Sequence, residues 1–286
     1  MMRDIRNLSF EGGGVKGMAY AGFIFGLEEA AIMKNILQVA GTSAGAITAA
    51  LVSLRYTAGE IHDIMMKTDF STFEDSENPF RIATQYGIYQ GDVFLSWMKE
   101  RIKGMISTPD ATFAEFEKAG CIDLHIFAYD VTDERLIRFC AKTTPQVIVA
   151  EAVRASMSIP FFFKGFQFST GHPNDHIHVD GGTVYNYPVD AFDTDGPNPQ
   201  TLGAFLRGVP SPAGVRYNEL IKFTRSIFNG ILDSQNINLY TNKEQLARTV
   251  QIPSLGISAT DFSLTGDQKQ ALYDSGLASI RSFLLA

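Results

Sequence analysis

The sequence predicts an α/β protein built around a parallel sheet. Two short apolar runs, Asn7–Phe10 and residues 36–40, each precede a glycine-containing turn and then a helical stretch rich in small residues. The helical stretches are residues 18–31 and 44–54. A strand, a tight turn and a helix, met twice in succession, are typical of parallel α/β sheets.

The rest of the chain continues this alternation. Strand character is found at residues 124–131, 136–140 and 202–207, and the polar–apolar alternation of residues 176–180 predicts a strand that runs into the Gly181-Gly182 turn. Helices are predicted over residues 93–103, 145–156, 219–232 and 269–284. Asp92 is the expected N-cap of the first of these, and the second must end before Pro160.

No repeat, low-complexity segment or linker interrupts the chain, so we expect a single domain over residues 1–286. Its motif-bearing core would span about residues 8–188 and its helical C-terminal portion about residues 215–286. A hydrophobic content of 45% and a charged content of 19% favour a globular protein with a sizeable core.

Charge and hydropathy exclude several classes of partner and location. The net charge is −7 without a basic block, which argues against a nucleic-acid polymer as the main partner. No apolar run is long enough for a membrane span, and no apolar signal segment precedes the first strand. Cys121 and Cys140 do not form a disulfide or metal-binding pattern. We therefore expect reduced thiols and a cytoplasmic location.

The pattern Gly41-Thr42-Ser43-Ala44-Gly45 lies between a predicted strand and a predicted helix, where a nucleophile elbow would lie. A serine on so sharp a turn needs small neighbours, because the helix passes close to the strand. The helix N-terminus also points free N–H groups at a developing negative charge. Such a pattern also arises as a simple packing turn of small residues.

A second turn, residues 11–17, carries the three glycines Gly12, Gly13 and Gly14. Successive glycines let backbone N–H groups point outward into an anion-binding nest, either a phosphate cradle or an oxyanion hole. Lys16 is followed by Gly17, so the turn is not a P-loop. With an elbow serine nearby, an oxyanion hole is favoured, and Lys16 either supports the anion or lies in solvent.

An elbow serine needs a base, and Asp180 is the favoured candidate. None of the five histidines follows His178, whereas hydrolase triads place their histidine late in the chain. Asp180 ends a predicted strand before two glycines that leave room around it. A triad of Ser43, Asp130 and a later histidine remains open, as does an ordinary turn role for Asp180. His178 shares one strand face with Asp180 and is a candidate for tuning it.

Together these motifs resemble the patatin-like phospholipase family. The matching segments are Gly12-Gly13-Gly14-Val15-Lys16-Gly17, the elbow at residues 41–45 and Asp180-Gly181-Gly182. Residues 155–160 and Asn186-Tyr187-Pro188 also look like family segments. Glu11 and Lys16 stand where the family more often has aspartate and arginine, and lysine keeps the charge but lacks the planar fork that a bidentate contact needs.

The resemblance implies a three-layer α/β/α sandwich with a mostly parallel central sheet. It also implies a Ser43–Asp180 dyad, oxyanion-hole N–H groups from Gly12, Gly13 and Gly14, and hydrolysis of acyl esters such as phospholipids, lysophospholipids or galactolipids. No cofactor or metal is expected, and calcium independence follows from the resemblance. Peripheral contact with membranes is expected, and secretion as an effector, with an unidentified activating ligand or protein, is left open.

Two questions stay open at this stage. The aromatic run Phe161-Phe162-Phe163, with Phe166, either lines an acyl channel or belongs to the core, and residues 71–103 with Trp97 form either a lid or a peripheral cap. The alternative function is an acyltransferase, which would pass the acyl group from the same serine to an acceptor other than water. A non-catalytic binding protein would not need the serine, aspartate and glycine nest together.

Overall fold

The computed structural model describes residues 4–208 and 220–286, and a seven-stranded mixed sheet forms its centre. The strands in chain order are β1 (Asn7–Phe10), β2 (Gln38–Thr42), β3 (Gly87–Tyr89), β4 (Asp123–Asp130), β5 (Arg135–Phe139), β6 (Phe161–Phe163), β7 (His178–Asp180), β8 (Thr201–Arg207) and β9 (Thr249–Pro253). The sheet order is β5-β4-β2-β1-β8-β9, with β7 also paired to β4, while β3 and β6 form a separate parallel pair.

Ten α-helices are found in the described residues. They are α1 (Ala19–Glu29), α2 (Ala44–Ser53), α3 (Ala58–Lys67), α4 (Ile82–Gln85), α5 (Asp92–Ile106), α6 (Phe113–Lys118), α7 (Val149–Ser156), α8 (Leu220–Thr241), α9 (Lys243–Ala247) and α10 (Gly266–Leu285). Helices flank the mostly parallel sheet, and the expected three-layer α/β/α sandwich is confirmed.

The pairing of β4 explains how distant segments meet at one point. The first part of β4 pairs in parallel with β2, from Gln38 opposite Asp123 to Thr42 opposite Phe127. Immediately afterwards β7 pairs antiparallel with β4, and Asp180 lies opposite Ala128. Along β4, the residues paired with β7 therefore start directly after those paired with β2. This arrangement brings Asp180, the last residue of β7, next to the elbow.

Several helices begin at side-chain caps that the sequence encodes locally. Thr57, Thr112 and Thr265 each accept a hydrogen bond from the backbone three residues later, and the Glu or Gln there bonds back in a capping box. Helix α2 has no such cap, because its preceding residue is Ser43 in an unusual conformation. Its residues are nearly all buried against β1, β2 and β4.

The predicted N-cap of α5 is wrong. Helix α5 includes Asp92 in its first turn, and Gly91 is the N-cap residue in a left-handed conformation. Asp75 supplies the capping carboxylate, since its two oxygens accept hydrogen bonds from Gly91 N–H (2.6 Å) and Val93 N–H (2.9 Å). A capping side chain from a distant loop leaves no local sequence signal.

Other boundaries also differ from the prediction. The helix expected over residues 145–156 begins only at Val149, because residues 145–147 form a turn and a bend and Ile148 forms an isolated β-bridge with Thr112. The predicted helix start at Glu219, and residues 215–219 of the C-terminal portion, lie outside the described residues, as do residues 1–3. Helix α8 ends at Thr241, nine residues beyond the predicted end at residue 232.

Most buried apolar residues of the described chain form one main core that is rich in phenylalanine. Phe162 and Phe163 are buried within it, whereas Phe161 is half exposed. Two of the three aromatic residues in this run are thus core residues. No helix in the described part of the chain has the length and apolarity that crossing a membrane requires.

Candidate active site

Ser43 occupies a strained turn between β2 and α2. Its φ of 53° and ψ of −123° lie in a region that non-glycine residues rarely adopt. The neighbouring glycines are sterically required: a Cβ on Gly41 would lie 2.1 Å from Gly45 O, and a Cβ on Gly45 would lie 2.2 Å from Phe10 O. The turn thus has the geometry of a nucleophile elbow.

Residues 156–158 hold the elbow and the Asp180 strand together. The Ser43 N–H donates to Ser156 Oγ at 2.8 Å, and the Ser156 hydroxyl donates to the Phe127 carbonyl. Two residues later, the Ser158 carbonyl accepts the Asp180 N–H at 2.9 Å. The backbone of both predicted catalytic residues is therefore fixed by one short segment at the end of α7.

Asp180 is a fully buried carboxyl group beside Ser43. Its Oδ1 accepts the Gly182 N–H at 2.7 Å, while Oδ2 is buried and has no hydrogen bond of normal geometry to any described residue. Burial raises the pKa of Asp180 to about 7, and the nearby Ser43 hydroxyl and Gly182 N–H only partly offset this rise. A carboxyl group with a pKa near neutrality is suited to exchange a proton with its neighbour.

The glycine turn lies directly against the serine. A Cβ on Gly12 would be 3.1 Å from Ser43 Cβ, and Gly14, with φ of 56°, has no space for one because Ala259 O would be 1.8 Å away. The Gly12 N–H donates to the Asn186 carbonyl at 3.0 Å. The N–H groups of Gly13 and Gly14 make no hydrogen bond within residues 4–208 and 220–286.

Hydrogen bonds of Glu11 and Asn186 hold the glycine turn in place. The Glu11 carboxylate accepts hydrogen bonds from Asn186 Nδ2 (3.0 Å) and Leu206 N–H (2.6 Å), and Asn186 Nδ2 also donates to Gly12 O. Burial raises the pKa of Glu11 to about 8, although the charge of Lys16 opposes this. Lys16 borders a polar cavity together with Glu11 and does not line the cavity that contains Ser43.

Ser43 opens into an apolar cavity of about 530 Å³, a volume that includes its open mouth. Its walls include hydrophobic side chains from five separate segments: Ile47, Met65, Phe70, Phe73, Trp97 and Phe262. Residues 71–103, for which a lid and a peripheral cap were the alternatives, therefore contribute Phe73 and Trp97 to the wall. The run at residues 161–163 is not part of the wall, but Phe162 stacks on Phe262 at 5.3 Å.

The histidines lie elsewhere in the described part of the chain, because none of them lines the Ser43 cavity. Asp130, the acid of the alternative triad, contacts His176 at 2.8 Å and has His178 and His172 at 3.6 and 4.0 Å. Burial lowers the pKa of His178 to about 4, so its ring is neutral at pH 7. The structure brings Asp180, and no histidine, to Ser43.

Sequence reasoning missed two supporting residues. Ser156 lay within a segment that was noted for its family resemblance alone, and the spacing of residues 156 and 158 gave no sign that they hold Ser43 and Asp180. Asn186 was noted in the same way, yet its side chain joins Glu11 to Gly12. The sequence offers no local signal for the role of Ser156, since the same helix also carries the polar residues Glu151 and Arg154.

The chain is similar to known proteins over most of its length. The sequence profile described as Patatin-like phospholipase matches residues 8–193. The uncharacterized protein YqhO of Bacillus subtilis is 30% identical and the alignment covers 96% of each chain. The probable lipid hydrolase 463L of Invertebrate iridescent virus 6 is 26% identical over 65% of this chain and 62% of its own.

Among solved structures, VipD from Legionella pneumophila superimposes with a TM-score of 0.69 at 16% identity. The match covers 98% of this chain and 67% of VipD, and at this identity it speaks for the fold alone. The profile match and the relatives support a lipid hydrolase. The chain belongs to the patatin-like phospholipase family.

Proposed function

We propose that this protein is a lipid acyl hydrolase in which Ser43 is the nucleophile and Asp180 the general base. The observation that carries the proposal is the placement of a strained elbow serine beside a buried carboxyl group whose pKa is near 7, at the wall of an apolar cavity. Perturbed acid–base groups in a cavity are typical of catalytic sites.

In the first step the Ser43 oxygen attacks the ester carbonyl of the lipid, and its proton passes to the Asp180 carboxylate. The bond to the leaving alcohol then breaks, and the protonated Asp180 returns the proton to the alcohol oxygen. An acyl-enzyme on Ser43 remains. Because Asp180 has no charged partner in the described residues to hold it ionised, its affinity for this proton is high at neutral pH.

Backbone N–H groups would stabilise the negative oxygen formed during this attack. The N–H groups of Gly13 and Gly14 have no partner in the described part of the chain, and α2 begins at Ala44, where helix N–H groups lack an intrahelical acceptor. The Gly12 N–H already donates to the Asn186 carbonyl, so Gly12 would contribute only by having no side chain, which lets the glycine turn lie close to Ser43. Lys16 would favour the anion only from a distance.

In the second step water attacks the acyl-enzyme. Asp180 accepts a proton from the water, and the acid and free Ser43 are released after the proton returns to the serine oxygen. The apolar walls of the cavity suit an acyl chain, so phospholipids, lysophospholipids and galactolipids are the proposed substrate class, met by peripheral contact with a membrane. The chemistry uses side chains and backbone alone, and added Ca²⁺ is expected to leave the rate unchanged.

The test is hydrolysis of defined phospholipids and galactolipids, with products identified by mass spectrometry. Ser43→Ala should abolish turnover, whereas Ser282→Ala, a matched change at an exposed position of α10, should have no effect. Thermal unfolding of both variants should remain cooperative. Substantial turnover by folded Ser43→Ala would refute the nucleophile assignment, and transfer of the acyl group to an alcohol in preference to water would favour an acyltransferase.

A further inference from the structure

A second cluster of polar side chains lies near the edge of the sheet, away from the Ser43 cavity. Asp130 ends β4, His178 begins β7 directly opposite it, and His172 and His176 come from the loop before β7. The Oδ2 atom of Asp130 lies 3.6 Å from His178 Nε2 and 4.0 Å from His172 Nε2. It also lies 2.8 Å from His176 Nδ1.

Asp130 and His178 are each held in place by a contact on the side that faces away from the centre of the cluster. The other carboxylate oxygen of Asp130, Oδ1, accepts the N–H groups of Thr132 (3.0 Å) and Asp133 (3.2 Å). His178 Nδ1 lies 3.3 Å from the Phe166 carbonyl, which fixes the proton on Nδ1. Such outer contacts are what hold metal-binding carboxylates and imidazoles in place.

Within the described part of the chain, the buried histidine nitrogens in the centre of the cluster have no hydrogen-bond partner. With its proton on Nδ1, the fully buried His178 directs the lone pair of Nε2 toward the Asp130 carboxylate, and His172 Nε2 is also buried without a partner. Buried polar atoms are nearly always satisfied, and two acceptor atoms facing each other repel. A cation placed between them would satisfy all of these atoms at once.

We propose that Asp130, His172 and His178 form a binding site for a divalent transition metal of the zinc type, with His176 as a further ligand or a close neighbour. Their ligand atoms all lie within 4.8 Å of one another. Ligand atoms around tetrahedral zinc are about 3.3 Å apart, as follows from bonds of about 2.0 Å. The distances from Asp130 Oδ2 to His178 Nε2 and His172 Nε2, 3.6 and 4.0 Å, exceed this spacing by less than an ångström, so small side-chain rotations would bring the ligands into place.

The chemistry of the ligands favours zinc over calcium or magnesium. Imidazole nitrogens suit zinc, copper and nickel, whereas calcium and magnesium are bound by oxygen. The rings of Phe139 and Phe168 pack against the histidines, with Phe168 centred 4.9 Å from His178 and 5.2 Å from His172. This apolar wall restricts water around the ligands, which strengthens metal–ligand electrostatics.

A metal here would join the loop of residues 172–176 to two paired strands. His178 is two residues before Asp180 on β7, and their side chains lie on the same face of the strand. The ion would therefore tie this loop to the strand that carries Asp180 without entering the Ser43 cavity. The binding claim itself is independent of the proposed hydrolysis.

The test is metal binding by the untagged full chain after removal of metals with a chelator. Titration with Zn²⁺, followed by competition with a chromophoric chelator, should saturate at one ion per chain and raise the thermal unfolding temperature. Co²⁺ should give the intense visible absorption of a four-coordinate site. Hydrogen exchange of the β7 amides should slow when zinc is bound.

His172→Gln should weaken zinc binding by about 10–100-fold or more and remove the thermal shift. Asp130→Asn, as a second variant, should do the same if it folds. The matched control is His62→Gln, a partly exposed histidine outside the cluster, which should bind zinc like the unchanged protein. Absence of a one-to-one complex, equal binding by folded His172→Gln, or preference for Ca²⁺ or Mg²⁺ would each overturn the proposal.

Discussion

Two buried aspartates on paired strands, Asp180 and Asp130, have opposite electrostatic surroundings. Asp180 has a hydroxyl, one N–H and apolar neighbours, so burial raises its pKa to about 7. Burial also acts on Asp130, but hydrogen bonds from His176 and the Asp133 N–H, with the adjacent histidines, lower its pKa below the usual value. The surroundings suit Asp180 to proton transfer and Asp130 to holding a cation.

The largest expected difference between the two is in catalysis. Asp180→Asn should lower hydrolysis of a soluble ester by about 10²–10⁴-fold, because the base is lost while the shape is kept. Asp130→Asn should retain most of the activity, since Asp130 is outside the Ser43 cavity. The measurement is the initial rate of ester hydrolysis by both folded variants. A comparable loss of rate in the two would favour the triad with Asp130 over the Ser43–Asp180 dyad.

The two aspartates should also differ in how they affect stability with pH. The pKa of Asp180 is raised on folding, so its favourable contribution is complete below its usual pKa and is lost as pH rises toward 7. Asp180→Asn should therefore unfold with a free energy higher than the unchanged protein by about 2–4 kcal/mol at pH 8, and the gap should close near pH 4.

Asp130→Asn should show the reverse pattern in metal-free protein. Its pKa is lowered on folding, so its carboxylate stabilises the fold above its usual pKa and that contribution is lost in acid. Glu11 also titrates, but it does so in both variants and its effect cancels. Urea unfolding between pH 4 and 8 measures these free energies, and parallel curves for the two variants would contradict the contrast.

The pH dependence of catalysis should report Asp180 alone. Because the base must be ionised, kcat/KM should rise with pH through an apparent pKa near 7 and then level off. In Asp63→Asn, a matched change at an exposed aspartate, the profile should be unchanged. A limb below pH 5 would show that Asp180 is not buried as the structure has it.

A smaller effect on catalysis is expected from a change at Ser156, which holds the backbone of the elbow but does not line the Ser43 cavity. Ser156→Ala leaves the Ser43 N–H and the Phe127 carbonyl without their partner and should cost about 1–3 kcal/mol of stability. Displacement of Ser43 should lower kcat, by up to about 10²-fold, more than it changes KM. Ser279→Ala on α10 is the control, and an unchanged kcat would remove the positioning role.

The elbow and the glycine turn could be predicted because each is a local backbone requirement, met by small residues next to a strand, whereas Asp180 was favoured by the lack of a late histidine and by the family resemblance. The mostly parallel sheet was also predicted. Strand β9, helix α3 and the β3–β6 pair were missed, and the Asp92 cap was wrong, since Asp75 arrives from a separate loop. The roles of Ser43, Asp180 and the glycines remain predictions.

The histidine cluster shows why such sites escape sequence reasoning. His172, His176 and His178 are close in sequence. Asp130 lies more than forty residues before them and comes next to them only through the β4–β7 pairing. From the sequence and the family resemblance, no metal was expected. Register between strands, which cannot be deduced from a single sequence, determines that Asp130 and not its neighbour faces the histidines.

The most direct test of the account is covalent labelling of Ser43 by a fluorophosphonate lipid analogue, followed by intact mass and peptide mapping across pH 5 to 9. The account predicts one adduct per chain on Ser43, a labelling rate that rises through a pKa near 7, and near-complete loss of labelling in Asp180→Asn. Labelling at another residue, or an equal rate in folded Asp180→Asn, would contradict it.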